Sequence, residues 1–368
     1  MAAAAAALAV AHCISDIEVA DFVALDLEFS GLFLGSARDG AMSLEAYYNK
    51  CRESIPQFLP LQLGLCCVRH RPQAENGAGE DPKWELRSHE FNLWPQDRRI
   101  FTSDLQSLRF LRAHGFDFNA FFEHAHTYSR LPLPGAPDLQ AHVKRLAPSH
   151  ASRVFAALRS AQIPIVVHNG LLDLLHLYDK FLGDLPATYQ EFAAAWAAQF
   201  PMLFDTRLIA QEGRFQVFRH TGHLSLEGLH GPLAMLPEGQ GAGKRPRFER
   251  AEPPAISRGD SAPAKSRPHG SSAHDAILTA EVFVMEMDRW IRSDEGSGGS
   301  RKRRRRSTQT AVGDGEDDGW TTVGRRDAGG EDEVVGLASP ALLESHAVCR
   351  RFQNRLAIVS ASPGFIDL

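Results

Sequence analysis

Cysteine is scarce here, and poorly spaced for either of its usual structural uses. The five cysteines of the 368-residue chain (Cys13, Cys51, Cys66, Cys67 and Cys349) make no CxxC pair and no zinc spacing. An odd number also argues against a disulfide framework, so a reducing compartment is expected. Long apolar runs are absent too: nothing approaches the roughly 18 residues of a membrane span. The Ala-rich start, Ala2 to Val10, lacks basic residues and reads as a frayed helix or tail, not a signal or transit peptide. No internal repeat is visible. Nor is there an excess of positive charge, since 40 Lys and Arg stand against 45 Asp and Glu for a net charge of −5. Nucleic-acid binding would therefore need a local basic patch or a bound cation, not a global field. What remains is an ordinary globular composition, 43% hydrophobic and 23% charged, expected to be soluble and intracellular.

The stretch that carries chemistry is Asp21 to Leu32, DFVALDLEFSGL. Phe22 to Leu25 form the apolar run of a buried strand, and Asp26 and Glu28 then place two carboxylates on one strand face before Ser30-Gly31 turns the chain. Two like charges a few ångströms apart in a core strand repel and are costly to desolvate, unless a divalent cation joins them. The plain alternative is an exposed strand end with no role.

Taken in order, Leu44 to Lys50 is expected to be helical, Leu59 to Val68 to be β-like, and Glu90 to Leu93 to be a further short strand, which makes a mixed sheet. Asp104 to Ala113 has leucines at threefold spacing behind a capping Asp, hence a helix. The aromatic-rich Phe116 to Arg130 reads as core packing. Ser149 to Ala161 is a helix and Pro164 to His168 a buried strand; the leucines after Asn169-Gly170 step by three and four, so this turn leads into a helix. On that helix Asp173, His176 and Lys180 form a second stripe, away from the apolar one. Asp173 lies in the first turn, where the helix dipole alone would favour a carboxylate. Asp205 ends an apolar run and is expected to cap the next helix. Residues 237 to 268 and 294 to 340 are low-complexity, the second containing Arg301 to Arg306 (RKRRRR), with a strong helix, Ser272 to Trp290, between them. There Ser272-x-x-Asp275 matches a capping box, a structural explanation for Asp275. A helix at Ala341 to Arg350 and a last strand with its extension follow. The whole, residues 1–368, is expected to be one domain with two insertions.

Four acids now stand in order beside core elements: Asp26, Glu28, Asp173 and Asp275. Two Mg²⁺ about 4 Å apart, one activating water and one stabilising the leaving oxygen of a phosphoryl transfer, need carboxylates from several elements. Hard oxygen donors without a Cys/His cluster favour Mg²⁺ or Mn²⁺ over zinc.

The segments ADFVALDLEFSGL, FLPLQLGLCCV, EFNLW, SLRFLRAHGFDFN, IVVHNGLLDLLHLYDKFLGDLP, FPMLFDTRLIA, HDAILTAEVF and FQNRLAIV, in that order from about residue 15 onward, resemble the DEDD-type 3′-5′ exoribonucleases. Within these the likeness is to the group of poly(A)-specific ribonuclease (PARN), the CAF1-like deadenylases and the trimming relatives. The resemblance implies a ribonuclease-H-like α/β fold, a mixed central sheet flanked by helices, with metal carboxylates at Asp26, Glu28, Asp173 and Asp275. It leaves Asp205 as structure, sets a substrate-side basic residue at Arg207, and makes Phe29, Ser30 and Leu32 the floor for the 3′-terminal nucleotide. Two departures stand out. No space exists between Phe118 and Ile163 for the helical RNA-binding domain of PARN, and residues 206 to 274 hold no cysteine for a CCCH finger. The family histidine five residues before the last Asp is here Gly270.

The expected activity is Mg²⁺-dependent 3′-5′ trimming of adenylate-ending single-stranded RNA 3′ ends with release of 5′-monophosphates. The alternatives are an inactive RNA-binding scaffold of the same fold and a DNA exonuclease. A homodimer is possible. Arg301 to Arg306 reads as a nuclear import signal for an importin, as an RNA tether or as a solvated linker, and the first gives a nuclear protein with a cytoplasmic share. For a general base, two histidines flank position 270, His269 and His274. If Ser272 caps the helix, His274 is turned about 100° from Asp275 around the axis, so His269 is the expected base. His274 serves if the helix starts later, and neither serves if the metals suffice.

Overall fold

Alternating apolar positions on both faces make the opening strand a central one, with helices expected on each side. The computed structural model describes residues 2–35, 42–72, 82–96, 100–130, 149–212, 224–235, 245–251, 271–307, 337, 339–359, 361–362 and 364–368. In chain order its elements are α1 (Ala2–Glu18), β1 (Phe22–Phe29), β2 (Met42–Ser43), α2 (Leu44–Ser54), β3 (Pro60–Arg71), β4 (Lys83–Pro95), α3 (Leu105–Ala113), α4 (Phe118–His124) and β5 (His126–Tyr128). There follow α5 (His150–Ala161), β6 (Ile165–Val167), α6 (Leu171–Leu177), α7 (Tyr189–Ala197), β7 (Leu203–Asp205), α8 (Thr206–Gln211), α9 (Leu226–Met235), β8 (Phe248–Ala251) and α10 (Ser272–Ser307). The chain closes with α11 (Ala341–Ser345), α12 (Ala347–Phe352), β9 (Arg355–Ala357), β10 (Ala361–Ser362) and β11 (Phe365–Asp367).

The main sheet runs β5-β4-β3-β1-β6-β7. β3 lies antiparallel to both β1 and β4, whereas β6 is parallel to β1 and β7 to β6. This is the mixed sheet flanked by helices expected from the sequence. Side-chain alternation on β1 divides the core. Val23, Leu25 and Leu27 pack with α1, α5, α6 and α7 on one face, while Phe22 and Ala24 meet Ala276, Ala280, Phe283 and Val284 of α10 on the other. Asp26 and Glu28 continue the second parity, so they point to the α10 side.

Several expectations need correcting. Ala2 to Val10 is helical and not a tail: it opens α1, whose Val10, Cys13 and Ile17 are buried in the main core. Asp173, His176 and Lys180, for all their polar character, are buried, because the helix is enclosed. Within 237–268, Phe248–Ala251 is a strand, parallel to Trp84–Arg87 of β4, so a short FERA segment between Gly- and Pro-rich flanks extends the sheet. The helix expected at Ser272 to Trp290 continues to Ser307 and carries Arg301 to Arg306, good helix formers, in its last turns. The expected helix at Ala341 to Arg350 is two helices that break at His346, whose side chain accepts a hydrogen bond from Val348 N. The last strand is an antiparallel pair, β9 with β11.

Candidate metal centre

β1 delivers the first two acids. Asp26 is paired with Gly64 of β3 and Glu28 with Gln62, and a register irregularity follows Glu28. Glycine is required at position 64. A Cβ at position 64 would lie 2.0 Å from the carbonyl carbon and oxygen of Ser272, so only glycine lets the first turn of α10 descend onto the sheet. Gln62 then holds that turn: its Oε1 accepts from Ser272 N at 3.1 Å and Ser272 Oγ at 3.0 Å, and its Nε2 donates to Asn92 Oδ1 at 3.0 Å. Ser272 is therefore the first residue of the helix and not its cap. Ser271 precedes it, its carbonyl accepting from His274 N at 2.8 Å and Asp275 N at 3.1 Å. Asp275 stands in the first turn as expected.

The result is that one carboxylate oxygen each from Asp26, Glu28 and Asp275 lie within 4.8 Å of one another. Asp173 arrives from the other side. β6 pairs with β1 only at Val23 and Ala24, so the Leu27 amide lies beyond that ladder and donates instead to Asp173 Oδ1 at 2.9 Å. The turn that sets Asp173 in place uses Asn169 in the left-handed region (φ 57°) and Gly170, where a Cβ would meet the Val167 side chain at 2.4 Å.

Burial and neighbouring carboxylates dominate the electrostatics of Asp26 and Glu28. Burial and then Asp173, Glu28 and Asp275 push the Asp26 carboxyl well above the usual range. Burial, Asp275, Asp173 and Glu90 push Glu28 up to about 8. Asp173 is raised to about 8 by burial, against the lowering effect of the Leu27 amide and its own. Such carboxyls either hold protons at neutral pH or neutralise a cation. Hard oxygen donors from two β1 residues and one helix turn, crowded on one another, fit Mg²⁺ or Mn²⁺.

The remaining candidates are dispersed. Asp205 is structural: its Oδ1 accepts from Asn169 N at 2.9 Å and Arg207 N at 3.0 Å, and its Oδ2 from Ala357 N at 3.0 Å. Arg207 donates from Nη1 to Leu224 O at 2.9 Å and is not among the clustered residues. Phe29 stacks on His176 with ring centroids 4.4 Å apart, and Leu32 is 42% exposed. Ser30 is wholly buried, its Oγ accepting from Leu59 N and donating to Thr102 O, so it shapes the turn and offers little to a nucleotide. His269 lies outside the described residues, and His274 is half-buried beside Asp275. Sequence reasoning missed Glu90. It is paired with Gly64, and therefore shares a row with Asp26, and it accepts a short hydrogen bond from Ser271 Oγ. The EFNL strand was legible, but its register was not.

Acidic side chains gathered on a mixed sheet under a helix N-terminus form a carboxylate cluster that could hold a divalent cation. A family model described as CAF1 family ribonuclease matches residues 7–132 and 136–283. The chain belongs to the CAF1 ribonuclease family. Among its relatives, the mouse (Mus musculus) poly(A)-specific ribonuclease PNLDC1 is 25% identical over 295 residues, covering 52% of this chain and 54% of that protein. The Caenorhabditis elegans 3′-5′ exoribonuclease parn-1 is 32% identical over 127 residues, 33% of this chain and 20% of that protein. The chain thus spans about half the length, or less, of these curated relatives. The Mg²⁺- and Mn²⁺-bound form of Schizosaccharomyces pombe Pop2p aligns with a TM-score of 0.45 at 17% identity, over 76% of this chain and 86% of that one.

Proposed function

We propose that the protein is a Mg²⁺-dependent 3′-5′ exoribonuclease that trims adenylate-ending RNA and releases 5′-monophosphates. The observation that carries this is the convergence of Asp26, Glu28 and Asp275 on one point, with Asp173 beside them, in a chain of the CAF1 ribonuclease family. The names of relatives, poly(A)-specific ribonuclease and 3′-5′ exoribonuclease, support the direction and the adenylate preference. In this reading Asp26, Glu28, Asp173 and Asp275 hold divalent cations, two in all, and Asp173 also ties the β1 end to α6 through the Leu27 amide. When bound, the cations supply activation of water and charge stabilisation of the leaving oxygen. Phe29, braced by His176, and Leu32 offer an apolar floor for the terminal base, with Arg207 on the β7 side for phosphate. His269 is the proposed general base, with His274 as the competing choice.

The test is hydrolysis of labelled oligo(A) by the full chain with Mg²⁺, with EDTA, and with Asp26→Ala. The reading expects mononucleotides with Mg²⁺ only, loss of activity in Asp26→Ala, and little action on DNA of the same sequence. RNA binding without hydrolysis would make the protein a scaffold, and equal cleavage of DNA would reassign the substrate. His269→Ala should lower the rate by about 10²-fold, the scale for losing a positioned base; a larger loss in His274→Ala would move that role. For the basic run, replacing Arg301 to Arg306 with Gln should shift a tagged protein from nucleus to cytoplasm, as an importin signal requires. Unchanged location with a flatter salt dependence of RNA binding would make the run a tether.

A further inference from the structure

No local pattern in the sequence singles out Glu90 for function. It is on β4, two strands from Asp26, yet Gly64 between them has no side chain, so the row Asp26-Gly64-Glu90 leaves an open trough across β3. The first turn of α10 lies in that trough, since it is Ser272 that a side chain at position 64 would strike. Glu90 closes the far end. Its Oε2 accepts from Ser271 Oγ, and the Ser271 carbonyl accepts the amides of His274 and Asp275. The carboxylate that completes the cluster with Asp26 and Glu28 is therefore one hydrogen-bonded residue away from Glu90.

We propose that Glu90 is a positioning residue of the metal centre: through Ser271 it fixes the first turn of α10 laterally and so sets where Asp275 stands relative to Asp26 and Glu28. Among the described residues, three contacts bear directly on the start of the helix: Gly64 limits how closely it approaches, Gln62 holds Ser272, and Glu90 holds Ser271. Further along, Ala276, Ala280, Phe283 and Val284 seat the helix on Phe22 and Ala24. Gly64 and Gln62 act on Ser272, whereas Glu90 acts one residue earlier, on the residue whose carbonyl takes the amides of His274 and Asp275, and its charge adds to the field at Glu28. Residues behind a metal's ligands commonly tune the site they orient.

The inference rests on the metal-centre reading above, and Mn²⁺ binding without RNA separates the two. The full chain is titrated with Mn²⁺ by electron paramagnetic resonance as wild type, Glu90→Ala, Glu90→Gln, Ser271→Ala and Glu90→Ala/Ser271→Ala, with Asp26→Asn as control and thermal melting to check folding. Glu90→Ala and Ser271→Ala should each weaken Mn²⁺ binding by about tenfold, within the range measured for outer partners of metal ligands. The double variant should be no weaker than the worse single one, because both remove the same tether. Glu90→Gln, which keeps an acceptor for Ser271, should recover most of the loss. Glu90→Ala that binds Mn²⁺ like wild type, or single effects that simply add, would overturn the positioning role while Asp26→Asn still abolishes binding. Wild type that binds no Mn²⁺ would overturn the metal centre and this role with it.

Discussion

Two acids on α10, six residues apart, are treated in opposite ways. Glu281 is buried but clasped: His230 Nε2 reaches its Oε2 at 2.6 Å, and Arg250 donates to Oε1 at 2.8 Å and Oε2 at 2.9 Å. Asp275 is grouped with Asp26 and Glu28, whose strongest electrostatic neighbours are other carboxylates. The chain can thus bring a histidine from α9 and an arginine from β8 to a buried acid when the role is structural. At the N-terminal end of the same helix it brings acids to acids. Carboxylates crowded on one another repel, and a divalent cation from solution is their natural complement.

The contrast breaks most sharply under substitution. Asp275→Asn should abolish both Mn²⁺ binding and RNA hydrolysis while leaving the melting temperature of the metal-free protein unchanged or higher, because a repulsion is removed. Glu281→Ala should do the reverse, lowering stability by about 1–3 kcal/mol through the unpaired Arg250 and His230 and leaving Mn²⁺ affinity intact. Denaturant unfolding and a Mn²⁺ titration on both variants check this; matching behaviour would erase the distinction. Next in size is Gly64→Ala, whose added methyl strikes the Ser272 backbone. Overpacking of this type destabilises by about 1–3 kcal/mol, and here it should also weaken Mn²⁺ binding by displacing Asp275.

The smallest effect is on pH dependence. Burial pushes Glu281 up, but the hydrogen bonds and charges of His230 and Arg250 more than reverse this, leaving it below the ordinary 4.5. A carboxyl lowered in the folded state contributes stability above its unfolded pKa and loses it as pH falls through the folded value. Stability measured from pH 6 downward should therefore fall below about 4.5 more steeply in wild type than in Glu281→Gln. Parallel curves would show that the clasp contributes nothing.

How much of this was legible follows from distance along the chain. Asp26 and Glu28 announced themselves because a period-two strand fixes their shared face locally, and Asp104 and Asp205 because capping is a short-range pattern. The mixed sheet was legible for the same reason. Glu90, Gly64 and Gln62 were not, since their roles come from strand register and from a helix start about 210 residues later in the chain. The helix cap was misread by one residue because two adjacent serines offer the same chemistry, and only the Gln62 contact distinguishes Ser272 from Ser271. Strand β8 was hidden by its flanks, and the clasp on Glu281 with it. His176 and Lys180 looked surface-like by type. Lys180 is in fact buried on Asp179 and the Ile55 carbonyl, at 2.6 and 2.9 Å, a pairing no spacing rule would suggest.

The most direct measurement is thermal unfolding of the wild-type chain and Asp26→Asn, each metal-free and with saturating Mn²⁺. If the acids at the end of β1 and the start of α10 form a cation site, Mn²⁺ raises the melting temperature of wild type, does nothing for Asp26→Asn, and the metal-free variant melts at or above metal-free wild type. A wild-type protein indifferent to Mn²⁺, or an Asp26→Asn variant stabilised as much as wild type, would contradict it.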